Sequence, residues 1–124
     1  MNVAERRYGN AVVVRVNGRL DQETCDDLRV VLSSQVDRAA RDKDTLVLDF
    51  SGLEYVSSAG LRCLLMASRQ MKAANGRIMV AEMQPMVAEI FAISHFDMMF
   101  EVKPTVRDAL ASISAEAANA YPRS

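Results

Sequence analysis

The chain is poor in the side chains on which most catalytic and metal chemistry depends. It has a single histidine, His95, and only two cysteines, Cys25 and Cys63, which lie far apart and form no CxxC pair. A zinc knuckle and a disulfide scaffold are therefore not expected, and no metal or other cofactor is implied. Cys63 reads as a small buried hydrophobe on a helix. A hydrolase triad would have to use His95 as its only imidazole base, and no Ser-His-Asp spacing supports one. His95 instead reads as the border of a helix end, and the protein is not expected to be an enzyme. A basic excess is also missing: 15 Lys+Arg stand against 16 Asp+Glu, a formal net charge of -1. That balance argues against direct nucleic-acid binding, which needs a cationic footprint. The longest apolar runs, Ala11 to Val14 and Leu64 to Ala67, are far below the ~20 residues of a membrane span. Met1 to Arg7 has no apolar stretch behind its charges, so no secretory signal is read there and a cytoplasmic location is expected.

What is present is an alternation of strand and helix patterns. Asn2 to Tyr8 and Ala11 to Val16 read as two strands around a Gly9-Asn10 turn, with Val12, Val14 and Val16 on one face and Val13 on the other. Gly18-Arg19-Leu20 then reads as leaving the sheet. Asp21 precedes an acidic first turn and is a good helix N-cap. Leu28, Val31, Leu32, Val36 and Ala39 recur at helical spacing behind it. Thr45 to Phe50 is nearly all apolar, as a strand covered on both faces would be. Asp49, at its end, reads as an anchor for the loop that follows. A second helix carries Leu61, Leu64, Leu65, Ser68 and Met71 and stops near Asn75-Gly76, with Gly76 as the left-handed cap. Arg77 to Glu82 is a strand, Pro85 opens a third helix, Phe100 to Val102 is a short strand, and Thr105 caps a last helix.

The expected order is ββαβαβαβα: an α/β domain over residues 1–115, with about four helices on a mixed, mostly parallel sheet that opens with a hairpin. Residues 116–124 read as a frayed C-terminal tail. No glycine-rich phosphate fingerprint follows any strand, which excludes a Rossmann unit or P-loop.

One segment carries far more information than the rest. Asp49-Phe50-Ser51-Gly52-Leu53-Glu54-Tyr55-Val56-Ser57-Ser58-Ala59-Gly60-Leu61-Arg62 reads as the loop from the buried strand into the second helix. It resembles the signature of STAS domains, the fold shared by bacterial anti-sigma factor antagonists and the cytoplasmic tails of sulfate transporters. Gly18-Arg19-Leu20-Asp21 and Gly76-Arg77-Ile78 also resemble their counterparts, so the likeness covers nearly the whole chain.

In the antagonists the resemblance implies a partner switch. The unphosphorylated protein binds a serine kinase that is also an anti-sigma factor, of the histidine-kinase-like ATPase fold. Phosphorylation of a serine at the start of the second helix releases it, and a PP2C-type phosphatase resets it. Alignment on Gly60-Leu61 places the accepting serine on Ser58. Where the best-known antagonists carry an acidic residue just before it, this chain has Ser57, which becomes a second acceptor. Both serines also suit plain N-capping. The implied partner face comprises Asp21, Ser57, Ser58, Ala59, Gly60 and Arg62, with Arg62 one helical turn beyond Ser58. The alternative within the family is a non-catalytic subunit of a lipid-transport ABC complex or of a stressosome-like assembly. Most of the eight methionines read as core fillers. An exposed part of the Met98-Met99 cluster would offer a surface for a partner or for self-association, such as a homodimer.

Overall fold

A computed structural model describes residues 2–122. Strand β1 (Asn2–Tyr8) turns into β2 (Ala11–Leu20), followed by helix α1 (Gln22–Asp42), β3 (Thr45–Asp49), β4 (Leu53–Val56) and α2 (Ser58–Ala73). Then come β5 (Arg77–Ala81), α3 (Pro85–Ile93), a single 3-10 turn (Phe96–Met98), β6 (Glu101–Lys103), α4 (Val106–Ile113) and α5 (Ala115–Ala120). The sheet runs β1-β2-β3-β5-β6, with β4 paired to β2 beyond the main path. Among the described residues, β1/β2 pair antiparallel and the other pairings are parallel. This is the mixed, mostly parallel α/β sheet that the alternating pattern implies.

Because side chains alternate across a strand, each valine of β2 is assigned to one of two cores. Val12, Val14 and Val16 join Leu28, Leu32 and Val36 of α1, Leu61 and Leu64 of α2, and Val87 and Phe91 of α3. Ala11 and Val13 join Val47 and Met79 on the opposite face, under Val106 and Leu110 of α4 and Ala117 of α5. Every residue of β3 is buried, since helices cover the sheet on both faces. Each fully buried Leu or Phe of this set contributes about 1.5–3 kcal/mol from its removal from water.

In four places the chain departs from the expectation. Gly18 to Leu20 do not leave the sheet: β2 continues through them across a register shift at Gly18/Arg19, where Gly18 takes φ 104°. Leu53 to Val56, read as loop, form β4 on that extension. Gly76 is not the left-handed cap of α2; Asn75 is, at φ 59°. Asn tolerates this region better than other non-glycine residues because its short polar side chain bonds locally.

The stretch after Ala115 is not frayed through residue 120, because α5 closes the second core. Ser114 Oγ accepts from Ala117 N at 3.0 Å, Ala117 is fully buried, and the Tyr121 ring packs edge-on against Tyr8 at 5.2 Å. Residues 123–124 lie outside the described residues.

Candidate functional site

The extension of β2 and the short β4 run side by side, with Leu20 opposite Val56. Each strand ends there and gives way to a helix, so Asp21 before α1 and Ser57 before α2 stand at the same end of the sheet. A backbone bond fixes the junction: Ser57 N donates to Leu20 O at 2.9 Å. Two helix N-termini, each with unpaired N–H groups and the positive end of a dipole, thus open onto one surface.

The caps divide the labour at that surface. Asp21 Oδ1 accepts from the N–H groups of Glu23 (3.0 Å) and Thr24 (3.2 Å). Thr24 Oγ1 accepts from Asp21 N at 3.0 Å and donates to Arg19 O at 2.9 Å, which ties the cap back to β2. Ser57 is the N-cap of α2, its backbone extended at φ -89° and ψ 173°, and its Oγ accepts from Gly60 N at 3.2 Å. Ser58 is the first residue of the helix and its side chain is exposed. Among the described residues no group hydrogen-bonds its hydroxyl. No acidic residue stands in the first turn of α2, so nothing there offsets the positive end of the dipole.

The other expected residues take different places. Ala59 is half-buried and Arg62 is exposed on the next turn, without an ion pair among the described residues. Gly60, expected on the partner face, is buried instead. A Cβ there would come within 2.7 Å of Leu20 Cγ, 2.8 Å of Leu20 O and 3.0 Å of Val56 Cγ2. Its lack of a side chain lets α2 start directly against the end of the β2/β4 pair. Asp49 is nearly buried, and its Oδ1 accepts from Ser51 N at 2.9 Å. Gln84 Nε2 donates to Ser51 O at 2.9 Å, so the loop into β4 is held from both sides.

Two features at this surface escape a reading of the sequence. The Arg19 guanidinium lies over the Tyr55 ring, 4.5 Å from its centroid, across the β2/β4 pair. Only knowledge of β4 would place these two residues opposite one another. Cys25 and Cys63, read as unpaired, form a disulfide between α1 and α2. Their distance along the chain concealed that both helices start at the same end of the sheet and pack on the same face. Cys63 is buried, as its helical position implies.

A family model described as "Mlab, STAS domain" matches residues 3–102. The chain belongs to the STAS family. Among STAS relatives it is similar to BtrV of Bordetella bronchiseptica (strain RB50), a candidate anti-sigma factor antagonist. The two are 31% identical over 102 residues, covering 82% of this chain and 85% of BtrV. An anti-sigma factor antagonist from Mycobacterium paratuberculosis superposes with a TM-score of 0.78 at 25% identity, over 90% of this chain and 92% of that one. Unphosphorylated SpoIIAA, an anti-sigma factor antagonist, superposes with a TM-score of 0.72 at 21% identity, over 90% and 96% of the two chains. The family match runs from β1 into β6 and takes in α1 to α3 with the paired N-termini. Among the described residues no group of three or more His, Cys, Asp or Glu is placed to hold a metal ion, and no helix is long and apolar enough to cross a membrane.

Proposed function

We propose that this STAS protein is an anti-sigma factor antagonist that works by partner switching, with Ser58 as the phosphorylated residue. Unphosphorylated, it docks the Asp21/Ser58 surface on a serine kinase that doubles as the anti-sigma factor. Phosphorylation of Ser58 ends that contact, and a PP2C-type phosphatase restores it. The protein itself acts as a regulator and not as a catalyst. The kinship with BtrV supports the class of partner. The observation that carries the residue assignment is the contrast between the committed hydroxyl of Ser57 and the exposed, uncommitted one of Ser58.

The chemistry of that position suits a switch that leaves the domain folded. A phosphoryl group brings a charge of about -1.5 to -2 to a helix N-terminus, where free N–H groups and the dipole favour an anion. Arg62 stands four residues on, on the same helical face, and is a counter-ion within reach. The same charge placed at the centre of a desolvated protein interface opposes docking. A single carboxylate there costs roughly 2–5 kcal/mol, a loss of about thirtyfold or more in affinity.

Calorimetric titration of wild type, Ser58→Ala and Ser58→Asp against the cognate kinase tests this. Wild type and Ser58→Ala bind alike, and Ser58→Asp binds about thirtyfold more weakly or worse. Tight binding by authentically Ser58-phosphorylated protein would overturn the proposal.

A further inference from the structure

The Cys25–Cys63 pair lies in a surface cleft of about 270 Å³ between α1 and α2, a few residues from Ser58. Its walls include Gln22, Asp26, Arg29, Arg62 and Met66. The two cysteines differ in access: Cys25, in the first turn of α1, is half-exposed, whereas Cys63 is 5% exposed. Their Cα atoms are 6.4 Å apart, within the span that a disulfide bridges without backbone movement.

The backbone around the sulfurs is equally suited to the thiol form. Cys25 Sγ lies 3.5 Å from Ala59 O, and Cys63 Sγ lies 3.5 Å from Cys25 O. In the disulfide there is no S–H to donate. After reduction each thiol has a carbonyl acceptor already in place on the helix opposite or at the facing turn.

Charge selects the reagent. Arg29 is engaged with Asp26 at 3.4 Å, while Arg62 has no ion pair among the described residues and faces the same cleft. An anionic small molecule is therefore favoured there over a cationic one.

We propose that Cys25 and Cys63 are a reversible thiol–disulfide modification site that exchanges with an anionic low-molecular-weight disulfide, Cys25 being the entry thiol and Cys63 the resolving one. The Cys25 thiolate attacks one sulfur of the small disulfide, forms a mixed disulfide and expels the first small thiolate. The Cys63 thiolate then attacks Cys25 Sγ, closes the intramolecular bond and expels the second. The two cysteine thiols lose two electrons and two protons in all, and the small disulfide takes up both as two thiols. A small dithiol reverses the sequence. The closed bond ties α2, one turn beyond Ser58, to the first turn of α1, and the site stands independently of whether Ser58 is phosphorylated.

The test uses the full chain, reduced and then exposed to oxidised glutathione, followed by intact-mass spectrometry and alkylation of the remaining thiols. Wild type loses two hydrogens and both alkylatable thiols, and dithiothreitol restores them. Cys63→Ser gains one glutathionyl group, on Cys25; Cys25→Ser gains none, because the buried Cys63 is not reached. Arg62→Glu slows the reaction with oxidised glutathione at least threefold relative to its reaction with the cationic disulfide cystamine. Circular dichroism of each variant establishes that it is folded. The proposal is overturned if folded wild type keeps two alkylatable thiols, if it stops at the mixed disulfide, if Cys25→Ser is modified at Cys63, or if Arg62→Glu slows both reagents equally.

Discussion

Ser57 Oγ accepts the Gly60 N–H at 3.2 Å, and through this one bond the first turn of α2 is capped by the residue before the exposed Ser58. The sequence presents two adjacent serines that both suit capping, and only the family resemblance puts Ser58 ahead of Ser57 for modification. Local geometry separates them, because the N-cap must be extended and its oxygen must reach the third residue on. Ser57 meets both conditions. Ser58 already has helical backbone, and the residue is exposed.

The cap makes Ser57 the more important of the two for stability. Ser57→Ala is expected to destabilise the domain by about 1 kcal/mol, the usual effect of losing a serine cap. Ser58→Ala should stay within about 0.5 kcal/mol of wild type, as exposed substitutions do. Urea titration of the two variants measures the difference; equal midpoints would mean that the Ser57 cap contributes nothing.

Gly60 offers a second check on how α2 is seated. Alanine in a helix interior is ordinarily better than glycine by about 1 kcal/mol. Here its methyl would press on Leu20 and Val56, with one approach to the Leu20 carbonyl at 2.8 Å. Overpacking of this kind costs about 1–3 kcal/mol and exceeds the propensity gain. Gly60→Ala should therefore lower the urea midpoint, where an ordinary helical glycine would raise it.

Much of the fold is legible because the burial pattern repeats. The valines of β2, the apolar run of β3 and the spacing of Leu61, Leu64 and Met71 each report a face of the sheet or of a helix. What escapes is short or non-local. Leu53-Glu54-Tyr55-Val56 is only four residues long, lies between Gly52 and Ser57, and pairs with Gly18 to Leu20 at the end of β2 across a register shift. Helix α5 is six residues of mostly small side chains, and a single buried alanine anchors it. Asp21 and Ser58 can be named from their motifs, but their shared surface depends on the Leu20/Val56 pairing, which no local pattern announces. The Cys25–Cys63 bond is hidden for the same reason.

Acid should weaken the far end of the sheet in a way that depends on Arg77. Its guanidinium holds Glu101 through two hydrogen bonds of 2.7 and 2.8 Å, and this bonding lowers the Glu101 pKa, against a smaller opposing effect of burial. A carboxylate with a lowered folded-state pKa adds stability above its unfolded value, near pH 4.3. That contribution disappears as pH falls through the lower folded-state value. Arg77→Met should therefore be less stable than wild type at pH 7, with the gap narrowing below about pH 4. Urea midpoints at several pH values read this directly; a gap that is constant with pH would assign the effect of Arg77 to packing.

Modification is expected on Ser58 because Ser57 is already committed to the helix. Phosphopeptide mapping of wild type, Ser57→Ala and Ser58→Ala after incubation with the cognate kinase and ATP tests it most directly. One phosphate is expected on Ser58 in wild type, retained in Ser57→Ala and absent from Ser58→Ala. Phosphate on Ser57 in wild type, or modification of this turn that persists in Ser58→Ala, would contradict it.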